Sequence, residues 1–318
     1  MKQLIHFEVY PLRILVTGCA GFIGSHAVEC FLEKDYQVVG VDCLTYAGKL
    51  TNMSNFLDQI CFYQTDICEK TKIENIVNEH AIKWIVNFAA ETHVDNSILG
   101  CDSFIHSNII GVKSLLEVCR KTGAKLLQVS TDEVYGSTLR DSFDEDSPLA
   151  PANPYSATKA AAEHLIRAYG NTHSVEHLIV RPSNNFGPRQ DNEKFIPTIL
   201  RGIDDGDKIP LYGDGKNVRD WLYVKETARA IEFIIKHSPT GMTYNISSKQ
   251  EIANIDLLKK ICDIKNISFN DSYVFVDDRP GHDFRYSITS TKIKELGYKF
   301  DMNWEKSLKE TINYFFSE

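Results

Sequence analysis

The sequence predicts an α/β protein built on a doubly wound parallel sheet, with a smaller, partly interleaved C-terminal lobe. Two observations point to the sheet. Apolar runs of strand length alternate with helical-period stretches as far as Arg181, and a glycine-rich turn separates the first such strand from the first helix. A third observation points to the lobe: after Gly187 the alternation loosens into Pro- and Gly-rich loops, Gly187-Pro188, Ile209-Pro210 and Gly213-Asp214-Gly215, mixed with short helices.

Taken in order, strands are expected at Arg13 to Thr17, Gln37 to Val41, Cys61 to Gln64, Trp84 to Phe88, Lys125 to Val129 and His177 to Arg181. Helical periodicity fills Phe22 to Lys34, Glu69 to His80, Asp102 to Arg120 and Pro154 to Gly170 between them, and Trp304 to Phe316 reads as a terminal helix. This divides the chain into a sheet domain over 1–183, with 218–245 returning to it, and a lobe made of 184–217 and 246–318.

Composition narrows the function classes. No apolar run is long enough to cross a membrane, and Met1 to Arg13 mixes Lys2, His6 and Glu8 into its apolar residues, unlike a secretory signal; a cytoplasmic protein is expected. Eight cysteines without CxxC or Cys/His spacing read as reduced thiols, several inside helices (Cys30, Cys101, Cys119), and no metal site is expected. A net charge of -8 without a basic cluster argues against nucleic acid or an anionic membrane as principal partner.

The first motif with chemistry is Thr17-Gly18-Cys19-Ala20-Gly21-Phe22-Ile23-Gly24, a GxxGxxG between a strand and a helix. Its glycines permit a tight turn and close backbone approach, so that helix N-terminal amides can face a pyrophosphate. Asp42 ends the second strand about 20 residues on, where a carboxylate accepts both ribose hydroxyls and repels a 2′-phosphate. With Cys43 and Leu44 following rather than Arg, NAD is expected over NADP. Asp66-Ile67, ending the third strand, suits an adenine edge, or Asp66 simply caps a turn.

The second motif pairs Tyr155 with Lys159 on one helix face, behind Asn153-Pro154 as N-cap and first helical residue. An ammonium near a phenol favours the phenolate, so Tyr155 can take a proton from a sugar hydroxyl as hydride leaves its carbon. One strand-to-helix step earlier, Thr131-Asp132-Glu133 adds an acid and a base. Successive strand side chains point to opposite faces, so for both carboxyls to reach one substrate the backbone must turn at Asp132, just past the carboxyl end of its strand. The plainer alternative is a solvent-facing pair capping a turn.

Together GxxGxxG, Phe88-Ala89-Ala90, Ser130-Thr131 and YxxxK resemble the extended branch of the short-chain dehydrogenase/reductase superfamily, with a Rossmann-type domain. Thr131-Asp132-Glu133-Val134-Tyr135-Gly136 is similar to the nucleotide-sugar 4,6-dehydratases that act on dTDP-glucose or UDP-glucose, and segments such as Glu91 to Asp95, Ser183 to Pro188, Arg219 to Val224 and Asp278 to Asp283 carry the likeness over all but Met1 to Leu12. The resemblance implies NAD-dependent dehydration of a nucleoside-diphosphate glucose to the 4-keto-6-deoxy sugar, feeding deoxysugar biosynthesis of the rhamnose type. Tyr155, assisted by Lys159 and Thr131, would oxidise C4; Glu133 would act as base at C5 and Asp132 as acid on the departing C6 hydroxyl, before hydride returns to C6.

The resemblance also implies NAD contacts from Gly18, Gly21, Phe22, Ile23, Gly24, Asp42, Cys43, Leu44, Thr45, Asp66, Ile67, Phe88, Ala89, Ala90, Ser107, Tyr155, Lys159 and Asn185. Substrate contacts would come from Thr92, Thr131, Asn184, Lys194, Phe195, Pro210, Leu211, Tyr212, Arg219, Asn245, Arg279 and His282. Arg219 and Arg279 suit a diphosphate, or ion pairs with Asp220 or Asp278. His93 reads better as a packed loop residue than as a catalyst. Asp95-Asn96 and the loop Arg189-Gln190-Asp191-Asn192 depart from the bacterial dTDP pattern, which leaves uracil and thymine both open. Relatives dimerise through a four-helix bundle, and Leu115, Leu116, Val118, Leu165 and Ile166 on the two long helices fit either that or burial against their own sheet. An epimerase or decarboxylase on this scaffold, or a non-catalytic dinucleotide-binding protein, would share the NAD motifs but leave Asp132-Glu133 without a task.

Overall fold

In the computed structural model, residues 11–278 and 281–317 are described. Six strands fall on the apolar runs: β1 (Arg13–Thr17), β2 (Gln37–Asp42), β3 (Cys61–Gln64), β4 (Trp84–Asn87), β5 (Lys125–Val129) and β6 (His177–Pro182). The helices between them are α1 (Phe22–Leu32), α2 (Lys70–Glu79), α3 (Val94–Leu99), α4 (Asp102–Phe104), α5 (Val112–Thr122) and α6 (Pro154–His173). The chain then builds β7 (Asn184–Phe186), α7 (Phe195–Asp205), β8 (Ile209–Tyr212) and β9 (Val218–Tyr223). It continues through α8 (Val224–His237), β10 (Met242–Ile246), β11 (Glu251–Ala253), α9 (Asn254–Lys265), β12 (Tyr273–Val276), α10 (Thr291–Glu295) and α11 (Trp304–Phe315).

The main sheet has the order β10-β6-β5-β4-β1-β2-β3, with every neighbouring pair parallel. Strand β1 shows why its sequence is apolar throughout: Ile14, Leu15 and Val16 are all fully buried, because helices cover both faces. Ile14 and Val16 point to one core, with Ala27, Val28 and Phe31 of α1 and Ile231 and Ile234 of α8. Leu15, one residue out of phase, points to the other, with Ile73 and Ile76 of α2, Leu115 and Leu116 of α5 and Ile166 of α6. The strand order reverses between β1 and β4, and the crevice at the carboxyl ends of those strands is where such sheets take ligands.

Strand β9 pairs with β7 and β11 in a small sheet, β8 pairs with β12 in another, and α8 and β10 rejoin the main sheet. A separate core under the small sheets joins Ile196, Leu200, Leu211, Trp221 and Leu257 to Trp304, Leu308 and Ile312 of α11. The C-terminal tail is shared, since Ile293 and Tyr298 pack in the main-sheet core instead.

Two expectations change. Asp102 to Arg120 is not one regular helix, because α4 leads into π turns over Ile105–Gly111 before α5. The irregular turns set Gly111 against Ile67, where an added Cβ would lie 2.5 Å from Ile67 Cδ1, and enclose Asn108. In addition, Leu115, Leu116, Val118 and Ile166 are buried in their own sheet's core, so they present no face to a second copy. The exposed apolar residues of this region are Ile98, Leu99, Ile105 and Ile110. No helix among the described residues is long and apolar enough to span a membrane.

Candidate active site

The glycine turn after β1 is packed too closely for side chains. A Cβ on Gly18, whose φ is +69°, would lie 2.6 Å from Ala89 N, and one on Gly24 would lie 2.1 Å from Gly18 O. No side chain caps the N-terminus of α1, so its first amides are left to a ligand. Asp42, at the end of β2, is buried and accepts from Ala20 N at 2.9 Å and Leu44 N at 2.8 Å, which fixes its carboxylate beside the turn. Burial raises its pKa, against those two amides.

A buried polar chain crosses the sheet below this turn. Thr17 Oγ1 donates to Asn87 Oδ1 (2.5 Å), Asn87 Nδ2 to Gln128 Oε1 (2.8 Å) and Gln128 Nε2 to Val129 O (2.8 Å). It locks the ends of β1, β4 and β5 in register, from which the site residues project.

After β5 the chain turns as expected at Asp132. Thr131 caps a 3-10 turn over Asp132–Tyr135, its Oγ1 accepting from Glu133 N at 3.2 Å. Asp132 is buried and its Oδ2 has no partner among the described residues, while Glu133 is half-buried with Oε2 accepting from Asn153 Nδ2 (3.4 Å) and Tyr286 OH (3.3 Å). Burial, then the Glu133 and Asp220 charges, hold Asp132 well above the usual carboxylate range, so it carries its proton.

Helix α6 starts on a capping box in which Asn153 Oδ1 accepts from Ser156 N (2.9 Å) and Ser156 Oγ accepts from Asn153 N (3.3 Å), with Pro154 at the first helical position. It presents Tyr155 and Lys159 to the same crevice, both buried. Lys159 Nζ donates to Val129 O at 2.9 Å, and burial lowers its pKa to about 8. Burial and the Glu133 charge raise the Tyr155 phenol above its ordinary value, while the Thr131 hydroxyl lowers it.

These groups line one cleft of about 290 Å³. Its walls join the glycine turn (Gly18, Gly21, Phe22, Ile23, Gly24) and Phe88 and Ala90 to Thr131, Asp132, Glu133, Tyr155 and Lys159. The lobe closes the other side with Asn184, Asn185, Lys194, Phe195 and Trp221, while Thr92 lies at the rim. Buried polar atoms without partners concentrate here: Ser130 Oγ, Asp132 Oδ2, Ser183 Oγ, Asn184 Oδ1, Gln190 Oε1 and Trp221 Nε1 all belong to lining residues. Orphaned buried groups of this kind call for a polar ligand. With the glycine cradle and Asp42, they fit a dinucleotide lying against a second, polar ligand.

The remaining expected contacts divide. Cys43, Leu44 and Thr45 follow Asp42 in the loop after β2 and are not among the residues that line the cleft. Asp66 follows β3, with Oδ2 3.2 Å from His106 Nε2; Ser107 follows on the π turns, and Ile67 and Ala89 pack with the core. Lys194 Nζ donates to Thr92 O at 3.1 Å, bridging lobe and sheet domain, and His93 caps α3, its ring accepting from Asn96 N. Pro210 and Tyr212 face outward on β8 while Leu211, between them, is buried in the lobe core, so its side chain is not a contact. His282 Nδ1 lies 2.5 Å from Asp278 Oδ1 beside the Tyr212 ring. Arg219 donates to the carbonyls of Val218 (2.8 Å), Phe284 (3.3 Å) and Asp283 (2.9 Å). Arg279 lies outside the described residues.

Asn245 is corrected. It is fully buried on β10, with Oδ1 accepting from Tyr135 OH at 2.8 Å and its backbone N–H donating to Glu145 Oε1 at 2.8 Å, so it braces the Asp132–Tyr135 turn rather than a ligand. Asn254 was missed: it opens α9 directly after β11, the strand that pairs with β9 beside Arg219, and its buried Oδ1 has no partner among the described residues. Asn108 was missed as well, and it ties Glu91 N and O to Thr158 Oγ1, one residue from Lys159. An Asn inside an apolar helical stretch was the available signal for it.

The profile of the GDP-mannose 4,6 dehydratase family matches residues 15–311. The low-salt glycan biosynthesis protein Agl12 of Haloferax volcanii is 43% identical over 311 residues, covering 96% of this chain and 99% of that protein. The dTDP-glucose 4,6-dehydratase of Salmonella typhimurium is 37% identical, over 96% of this chain and 92% of its own. Among solved structures, DesIV of Streptomyces venezuelae, a dTDP-glucose 4,6-dehydratase crystallised with NAD, superposes with a TM-score of 0.93 at 37% identity, covering 96% of this chain and 97% of that one. A chain with this site, fold and full-length likeness belongs to the nucleotide-sugar 4,6-dehydratase family of the short-chain dehydrogenase/reductase superfamily.

Proposed function

We propose that this protein removes water from a nucleoside-diphosphate glucose, dTDP- or UDP-glucose, to give the 4-keto-6-deoxy sugar nucleotide, with NAD as a resident cofactor. The observation that carries the reading is the meeting in one cleft of a buried Asp132 and a neighbouring Glu133 with Tyr155 and Lys159, beside the glycine cradle. An epimerase would have no use for the first pair.

Held by the glycine turn and Asp42, NAD+ would supply a hydride acceptor for C4 and, once reduced, a hydride donor for C6. Tyr155 takes the C4 hydroxyl proton, with the Lys159 ammonium and the Thr131 hydroxyl stabilising the phenolate. The new ketone acidifies C5, and Glu133 removes that proton as the C6–O bond breaks. Asp132 gives its proton to the departing hydroxyl, which leaves as water. Glu133 then returns a proton to C5. Two neighbouring carboxyls do opposite jobs because one is sealed from water and the other is not.

Phe22, Ile23 and Gly24 would hold the dinucleotide pyrophosphate and Asp42 the ribose, as Cys43, Leu44, Thr45, Asp66, Ile67, Ser107 and Asn185 border the adenosine and nicotinamide ends. The lobe, with Asn184, Lys194, Phe195, Pro210, Tyr212, Arg219 and His282, would hold the nucleotide sugar. The exposed Ile98, Leu99, Ile105 and Ile110 support a homodimer built on the α3-to-α6 face, and eight free cysteines suit the reducing cytoplasm.

Incubating the protein with UDP-glucose or dTDP-glucose in deuterated water tests the reading. The product should carry deuterium at C5 and a methyl group at C6, without net NADH. An unchanged sugar or a simple epimer overturns it.

A further inference from the structure

Glu133 is held by one oxygen only. Oε2 accepts from Asn153 Nδ2 at 3.4 Å and from Tyr286 OH at 3.3 Å, while no described hydrogen bond reaches Oε1. The two donors come from different parts of the chain: Asn153 caps the helix that carries Tyr155, and Tyr286 lies between β12 and α10.

Tyr286 is itself fixed on three sides. It is buried, its hydroxyl donates to Asp283 Oδ2 at 2.8 Å, and the Arg219 guanidinium lies 4.3 Å above its ring. Its backbone is stitched to both neighbours, with Tyr286 N donating to Val218 O (3.3 Å) and Arg285 N to Ser137 Oγ (3.3 Å), just beyond the turn that bears Glu133. Such a side chain cannot follow Glu133 if the carboxylate moves, so it defines where the carboxylate rests.

We propose that Tyr286 is a positioning residue for the elimination step: it pins Oε2 of Glu133 so that Oε1 points at the substrate carbon. The proposal rests on Glu133 being the C5 base. A phenol has one proton for two carboxylates, and the geometry uses this in both states of the base. While Glu133 is ionised, the hydroxyl proton is shared between Asp283 and Glu133. Once Oε1 has taken the C5 proton, Oε2 remains the carbonyl oxygen of a neutral carboxyl and still accepts from Asn153 and Tyr286, with the phenol proton drawn further toward Asp283. Burial keeps the phenol protonated throughout, with the Glu133 charge adding to the effect. The base is therefore held before and after proton transfer without moving a side chain.

Tyr286→Phe tests this, since it keeps the ring under Arg219 and removes only the hydroxyl. NADH formation on the enzyme during a single turnover reports C4 oxidation, and product methyl formation reports elimination. The variant should oxidise C4 within roughly threefold of the native rate while elimination slows by roughly ten- to hundredfold, as expected for loss of a hydrogen bond to a charged group. A substrate deuterated at C5 should then show a larger isotope effect on turnover than it does with the native enzyme, a response that a looser fold alone would not give. The melting temperature and nucleotide KM, measured alongside, should stay near native. Elimination at the native rate, or an equal loss in both steps, overturns the proposal. Glu133→Gln is run beside it: normal elimination there removes the base assignment, and the positioning role with it, whereas blocked elimination there with a native rate in Tyr286→Phe sinks the positioning role alone.

Discussion

The ammonium of Lys159 sits 2.9 Å from the carbonyl oxygen of Val129, the last residue of β5. The bond anchors the lysine to the strand from which Thr131, Asp132 and Glu133 follow, so the charge proposed to serve Tyr155 is fixed to the same frame as the proposed acid and base. Burial costs that charge some of its affinity for the proton, and its pKa falls to about 8, with Glu163 opposing the shift. The ammonium is therefore present below that pH and lost as the pH rises through it. Single-turnover C4 oxidation should fall on the alkaline side with an apparent midpoint near 8. Lys159→Met should slow oxidation by roughly a hundredfold and abolish that limb. A Met variant with the native pH profile would contradict the role.

Asp132 gives a prediction with the opposite sense. Its folded-state pKa is raised above 3.8, chiefly by burial. The stability of the neutral buried acid is then complete below about 4 and is lost as pH rises through the folded value. Asp132→Asn is neutral at every pH and nearly the same shape. The variant should gain about 1–3 kcal/mol over the native protein at high pH, with the gap closing near pH 4, while dehydration falls by roughly a hundredfold. Chemical denaturation across pH checks the first part and product methyl formation the second. A constant gap would mean that Asp132 is ionised in the fold.

Much of this was legible in the sequence because it depends on local chemistry. The runs that became β1, β2 and β4 are apolar and buried on both faces, and Asn153-Pro154 announces its helix start by capping alone. The turn at Asp132 followed from strand geometry and the need for two carboxyls on one face. What stayed hidden depends on contacts across the fold. Asn108 and Gly111 distort the helix over Asp102 to Arg120 because of what they meet, Thr158 and Ile67, and no periodicity reports that. Asn245 and Asn254 are both Asn near a strand end. Only the pairing of β10 with β6 and of β11 with β9 shows which is consumed by the core and which is left open.

Arg181 and Glu163 form a buried pair that the sequence did not mark out. Both are fully buried, Arg181 Nε donates to Glu163 Oε1 at 2.9 Å and its Nη2 to Glu163 Oε2, and the guanidinium lies 4.6 Å from the centre of the Tyr135 ring. Tyr135 ends the turn that carries Asp132 and Glu133, so the pair supports that turn from beneath. Glu163→Leu would leave the buried guanidinium without its carboxylate, keeping only the Tyr135 hydroxyl and the Glu145 carbonyl as partners. We expect a loss of about 3–5 kcal/mol by chemical denaturation. A loss under about 1 kcal/mol would show that water or another carboxylate reaches Arg181.

The choice between the two dinucleotides should rest on Asp42. Both carboxylate oxygens are held by backbone amides, from Ala20 and Leu44, so the group cannot swing away from a ribose that enters along the glycine turn. A 2′-phosphate would meet a fixed, half-desolvated negative charge, and the residues that follow, Cys43 and Leu44, offer no cation in return. Asp42→Ser keeps an acceptor for the ribose and removes the charge. Affinity for NAD should drop by roughly tenfold and the preference for NAD over NADP should narrow by roughly a hundredfold, read as the ratio of the two Kd values. Salt separates charge from shape: if repulsion sets the preference, the native ratio shrinks as ionic strength rises and the Ser variant's ratio does not. A native ratio that ignores salt, together with a Ser variant that still rejects NADP, would place the discrimination in the loop's shape and take it away from Asp42.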